Sequence, residues 1–104
     1  MTTSANELYG SPEPKISVIL PVLNESKYLE EAVKAVLDQN FEGEIEIILA
    51  IGPSHDGTEG IAHSLAKADS RVVDVSNPTG RTAAGLNLAI AASRYSIIVR
   101  VDGH

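Results

Sequence analysis

Ile98-Val99-Arg100-Val101-Asp102-Gly103-His104 sets the terms for the whole chain. An apolar, β-branched run leads there into a carboxylate, a glycine and an imidazole, the pattern of a buried strand ending in polar groups. Open α/β sheets present ligand-binding groups at the carboxyl ends of such strands. An Asp-x-His pair suits a divalent cation, and a cation is a common means of gripping a diphosphate. Side chains at i and i+2 share a face only while the chain stays extended, and Gly103 permits both a bend and a ligand's close approach. The same residues also fit a polar strand terminus entering a loop, and both readings stay open at this level.

Upstream, the chain alternates between short apolar runs and helical periodicity. A helix is expected from Thr82 to Ser93 with Ala83, Leu86, Ala89 and Ile90 inward, preceded by the turn Asn77-Pro78-Thr79-Gly80 and a short strand carrying Val72, Val73 and Val75. Before these come a helix anchored by Ile61 and Leu65 and a strand over Ile45–Ile51. Leu29, Ala32, Val33, Val36 and Leu37 mark one buried face of the first helix, which ends near Asn40 to Gly43. Asn24 or Ser26 is expected to cap it, with Glu30 and Glu31 complementing its dipole. The first strand is Ile16–Val22, closed by Pro21, which cannot donate to a ladder. Residues 1–14 carry no apolar period and read as a mobile lead-in.

The order β-α-β-α-β-α-β, with crossovers long enough for parallel pairing, predicts an α/β fold: a parallel sheet with helices on both faces. Loops 21–26, 51–58 and 76–82 then share one carboxyl edge with Asp102.

Composition narrows the function. The 104 residues suffice for one small domain. A net charge of −6 with scattered basic residues argues against nucleic acid or anionic lipid as a partner. The absence of cysteine removes disulfides and thiolate metal sites. No apolar stretch reaches the roughly 18 to 20 residues of a membrane span, and no signal-peptide pattern opens the chain, so a cytoplasmic location is expected. Neither G-x-G-x-x-G nor a P-loop ending occurs, which disfavours dinucleotide or P-loop binding.

Within the loops, Glu25 and Asn24 sit where a nucleotide's base or ribose could meet a helix N-terminus, although on composition alone a cap and a dipole partner account for them more readily. Asp56 and Glu59 have capping-box spacing. Arg81 beside a helix N-terminus opposes the dipole and suits an anionic ligand. His55 and His63 are expected to face solvent. Asn87 fits either an inward or an outward position.

Taken together, four segments resemble the N-terminal half of a family 2 glycosyltransferase of the GT-A, Rossmann-like fold. They are Ile16-Ser17-Val18-Ile19-Leu20-Pro21-Val22-Leu23-Asn24-Glu25, Ser54-His55-Asp56-Gly57-Thr58, Asn77-Pro78 through Gly85-Leu86-Asn87-Leu88-Ala89-Ile90, and Val99-Arg100-Val101-Asp102-Gly103-His104. The last is similar to the branch of succinoglycan-type exopolysaccharide transferases. The resemblance implies a nucleotide-diphosphate-sugar donor, an inverting transfer and a Mn²⁺ or Mg²⁺ ion. It implies that Pro21, Leu23 and Glu25 line the base and ribose pocket, that Arg81 lies near the diphosphate, and that Asp102 and His104 hold the metal. Ile51-Gly52 stands where the family commonly has consecutive acids, which opens the question of base identity. Relatives continue past the metal motif to an acceptor site and a general base. Residues 15–104 are therefore expected to be the donor-binding portion, truncated at that motif, weak in binding and in catalysis alone. The alternative is a non-catalytic remnant or interaction domain that keeps the fold. A bare last strand is expected to expose apolar surface and promote self-association.

Overall fold

A computed structural model describes residues 14–39 and 43–102. Four strands alternate with three helices: β1 (Lys15–Val22), α1 (Leu29–Leu37), β2 (Glu44–Ile51), α2 (Thr58–Ala68), β3 (Val72–Ser76), α3 (Thr82–Ala92) and β4 (Ile97–Arg100). All pairings are parallel, in the order β3-β2-β1-β4. The expected lead-in lies outside the described residues except for Pro14, whose carbonyl accepts the Glu44 N–H at 3.1 Å.

Alternation along β1 and β2 sends successive side chains to opposite faces, and both faces are covered. Val18, Leu20, Val22, Ile47, Leu49 and Ile51 pack beneath α1 and α2, which contribute Leu29, Val33 and Ala62. Ile19, Ile48 and Ala50 meet Ala89 and Leu86 of α3 on the other side. Helices thus lie on both faces of a parallel sheet, as the alternation predicts.

Several local expectations give way. The first residue flanking α1 is Tyr28, with no side-chain cap, so neither Asn24 nor Ser26 caps it; Glu30 and Glu31 do occupy the first turn. Gly57, at φ 88°, stands at the start of α2, where Asp56 and Glu59 were expected to form a capping box. On α3 the buried residues are Gly85 and Ala89, while Ala83 and Ile90 face outward with Asn87. The reason is that α3 is apolar nearly all round, so periodicity could not single out its inner face.

β4 is the bare last strand expected of this chain, and its apolar run is not enclosed. Its residues are exposed along their whole length, with Ile97 at 49%, Ile98 at 38% and Val99 at 42%. It pairs through one edge with β1, and among the described residues no helix covers it. Its register still has a consequence: Ile19 pairs with Arg100, and the Val101 N–H donates to the Ile19 carbonyl at 3.0 Å. Continuing that register brings Asp102 level with Pro21 at the carboxyl edge.

Candidate donor-nucleotide site

The carboxyl edge carries a cleft of about 390 Å³ lined by Pro21, Leu23, Glu25, Asn77, Gly80 and Asp102, with Val22, Thr82 and Arg100. Four of the residues singled out in the sequence, Pro21, Leu23, Glu25 and Asp102, therefore meet around one space. Arg81 does not line it but sits between Gly80 and Thr82, which do. It is the exposed residue that opens α3, and its main-chain carbonyl accepts from the Asn77 amide at 2.9 Å.

The first two loops are laced together by hydrogen bonds. The Glu25 N–H donates to Thr58 Oγ1 at 2.8 Å, and the Ser26 N–H donates to Asp56 Oδ2 at 3.1 Å. Asn24, in the left-handed region at φ 51°, donates its N–H to Ser54 Oγ (3.0 Å) and accepts the His55 N–H on its amide oxygen (2.8 Å). Asp56 also accepts from the Thr58 hydroxyl and N–H. The Thr58 hydroxyl does most to hold the Asp56 carboxyl well below its ordinary range, despite some opposing desolvation. Glu59 accepts the Ser54 N–H at 3.0 Å. Asp56 therefore braces the loop that carries Glu25 directly, and Glu59 holds Ser54, which accepts from Asn24 of that loop. Asn24 is thus engaged across the chain, and Asp56 both there and at the start of its own helix.

Asn77 was read only as a turn residue, yet it organises the third loop. It is 3% exposed, its amide N–H₂ reaches the Arg81 carbonyl, and its oxygen accepts from the Thr79 hydroxyl at 3.2 Å. Gly85 makes room for it: a Cβ there would lie 2.8 Å from Asn77 Nδ2. The recoverable signal is an Asn-Pro turn followed by a glycine inside an otherwise apolar helix.

The opposite edge holds a second group that sequence reading passed over. Glu46 in β2 is 1% exposed and accepts from Ser17 Oγ (2.6 Å), from the Arg94 backbone N–H (2.7 Å) and from Arg94 Nε (3.0 Å). Burial opposes its ionisation, but the hydrogen bonds from Ser17 and Arg94 outweigh it and hold its carboxyl below the ordinary value. These bonds fasten the α3–β4 connection and so secure the strand that delivers Asp102.

For a metal, Asp102 offers an exposed carboxylate paired with Arg100 at 3.0 Å. His104, its expected partner, lies outside the described residues. Among the described residues no three His, Cys, Asp or Glu side chains gather into a metal-binding group. Asp102 lines the cleft and supplies a hard oxygen donor of the kind that suits Mg²⁺ or Mn²⁺. His55 is exposed, and His63 is exposed beside Asp74 at 3.1 Å. No described helix is long and apolar enough to cross a membrane.

Comparison with known proteins agrees with this architecture. Succinoglycan biosynthesis protein ExoA of Rhizobium meliloti is 30% identical over 89 residues, 84% of this chain and 27% of its own length. A GalNAc(5)-diNAcBac-PP-undecaprenol beta-1,3-glucosyltransferase of Campylobacter jejuni is 39% identical over 59 residues, 57% of this chain and 19% of its own. The crystal structure of TarS from S. aureus superposes with a TM-score of 0.70 at 25% identity, over 86% of this chain and 16% of that one. The chain thus spans about a quarter or less of the length of these proteins. The sequence profile of Glycosyl transferase family 2 matches residues 17–104, and the chain belongs to that family.

Proposed function

We propose that this chain is the donor-binding portion of an inverting glycosyltransferase that takes a nucleotide-diphosphate sugar and acts in polysaccharide or glycoconjugate synthesis. The observation that carries the proposal is the convergence of Pro21, Leu23 and Glu25 with Asp102, some eighty positions away, around one cleft. Pro21, Leu23 and Glu25 would meet the base and ribose, and Arg81 would stand near the diphosphate. Asp102, with His104, would hold a Mn²⁺ or Mg²⁺ ion. When bound, such an ion offsets negative charge on the departing diphosphate. The acceptor hydroxyl then bonds to the anomeric carbon as the bond to the diphosphate breaks, and its proton passes to a general base that we assign to no residue of this chain.

The name of the Rhizobium relative places it in succinoglycan biosynthesis, which favours polysaccharide as the product class. Calorimetric titration with UDP and GDP, with and without Mn²⁺, tests the proposal. Metal-dependent binding that disappears in Asp102→Ala is the expected result. If no nucleotide binds under either condition, the donor reading fails, and the chain is better described as a non-catalytic interaction domain. We further propose that the bare apolar edge of β4 mediates self-association of this chain.

A further inference from the structure

Arg100, the last residue of β4, lines the carboxyl-edge cleft together with Asp102. The two are i and i+2 on an extended segment, so their side chains leave the same face of the chain. The Arg100 Nε donates to Asp102 Oδ1 at 3.0 Å, and Nη2 lies 3.0 Å from that same oxygen. Oδ2 is left out of the pair, and the guanidinium fork of five N–H groups is not exhausted by one acceptor. Both side chains are open to water, Arg100 48% and Asp102 66% exposed. Such a pair adds little to the stability of the fold. It contrasts with Arg94 and Glu46, where the carboxylate is 1% exposed and also accepts a backbone N–H and a serine hydroxyl.

We propose that Arg100 is a resident counter-ion for Asp102, and that it makes cation binding at this carboxylate conditional on the nucleotide. This inference rests on the donor-site reading and adds to it the coupling between the two ligands. The charged side chains that line the cleft are Glu25, Asp102 and Arg100, and Arg81 stands between the lining residues Gly80 and Thr82. Two acids, of which Glu25 is itself engaged, are thus matched by two arginines. Thr82 and Asn77 add polar groups without charge. A divalent cation gains little from a nearly neutral cleft, and the guanidinium beside Asp102 repels it. A nucleoside diphosphate reverses that balance, because it brings several negative charges at once. The guanidinium and the cation then attract the same diphosphate, and their effects add. By linkage, the nucleotide strengthens cation binding by the same factor as the cation strengthens nucleotide binding. An aspartate without the arginine would hold the cation whether or not nucleotide were present.

The test compares the whole chain with Arg100→Met, which keeps the aliphatic stem and removes the charge, and with Arg100→Lys, which keeps the charge. Mn²⁺ binding without nucleotide is read from the electron paramagnetic resonance of the free ion. UDP binding at saturating Mn²⁺ is read by calorimetry; the Mn²⁺–UDP complex in solution is common to all three proteins and cancels. Arg100→Met is expected to bind Mn²⁺ alone about three- to tenfold more tightly, and UDP about three- to tenfold more weakly. Arg100→Lys is expected to stay within about threefold of the unaltered chain in both. The opposite signs separate this role from a structural one, because a loosened β4 would weaken both affinities. Arg100→Gln is a second uncharged variant should the methionine variant not fold. An affinity for Mn²⁺ alone that is unchanged or weaker in the uncharged variant overturns this inference, as does a lysine variant that behaves like it. The donor site stands in either case so long as UDP binds the unaltered chain. Failure of UDP to bind that chain at any Mn²⁺ concentration overturns both.

Discussion

The backbone N–H of Ser26 donates to the Asp56 carboxylate at 3.1 Å, joining two loops 30 positions apart in sequence. Asp56 simultaneously holds Thr58, whose hydroxyl accepts the Glu25 N–H. One exposed acid thus positions the loop that carries Leu23 and Glu25. Asp56→Ala should leave the sheet intact and loosen both loops. Hydrogen exchange at the Ser26, Glu25 and Thr58 amides is expected to accelerate about tenfold while the β1 and β2 amides keep their protection. Uniform acceleration across the sheet would contradict a local role.

Stability should fall with acid in a defined direction. Glu46 and Asp56 have carboxyls held below their ordinary values of 4.5 and 3.8, and Asp69 is lowered from 3.8 to about 2, chiefly by the Arg71 side chain that hydrogen-bonds to it. A depressed folded value means that stabilisation is complete above the ordinary value and is lost as pH falls through the folded one. Thermal melts should therefore be level above about pH 5 and decline progressively below pH 4. Arg94→Ala removes the guanidinium donor to Glu46 while burial still opposes ionisation, so its decline should begin at higher pH. An acid profile identical to that of the unaltered chain would show that the Arg94 side chain does not matter to Glu46.

Glycines of α2 and α3 should respond oppositely to alanine. Gly60 has open space where a Cβ would go and an ordinary helical backbone, so Gly60→Ala should stabilise by about 0.5–1 kcal/mol. Gly85→Ala would place a methyl 2.8 Å from Asn77 Nδ2, inside the third loop's anchor. It should cost about 1–3 kcal/mol in urea unfolding, as overpacking does. Equal effects at the two positions would contradict the packing of Asn77 against α3.

Edge strand β4 exposes Ile97, Ile98 and Val99 beside unpaired backbone groups, an arrangement that invites another strand. Sedimentation velocity should show concentration-dependent association, and Ile98→Lys should shift the population toward monomer. A purely monomeric chain across the concentration range would remove the proposed self-association.

The alternation of strands and helices, their parallel pairing and the placing of loop 21–26 and Asp102 at one edge were legible in sequence, while Pro21 and Leu23 were singled out only by the family resemblance. The legible features follow from periodicity within a short window and from the rule that parallel strands deliver their following loops to one edge. Caps were misread because Asn24 and Asp56 are as well suited to bonding a distant loop as to capping a neighbouring helix, and composition does not separate the two uses. Glu46 gave no local sign, since its partners Ser17 and Arg94 lie 29 and 48 positions away. Exposure of β4 was expected of a bare last strand, although its apolar run by itself reads as a buried one. The chain's own order thus determined the fold and the rim on which its candidate site residues gather. Tertiary structure alone decided which polar side chains brace that rim and where Leu23 comes to rest on Gly52, since those outcomes depend on contacts between segments that no local pattern encodes.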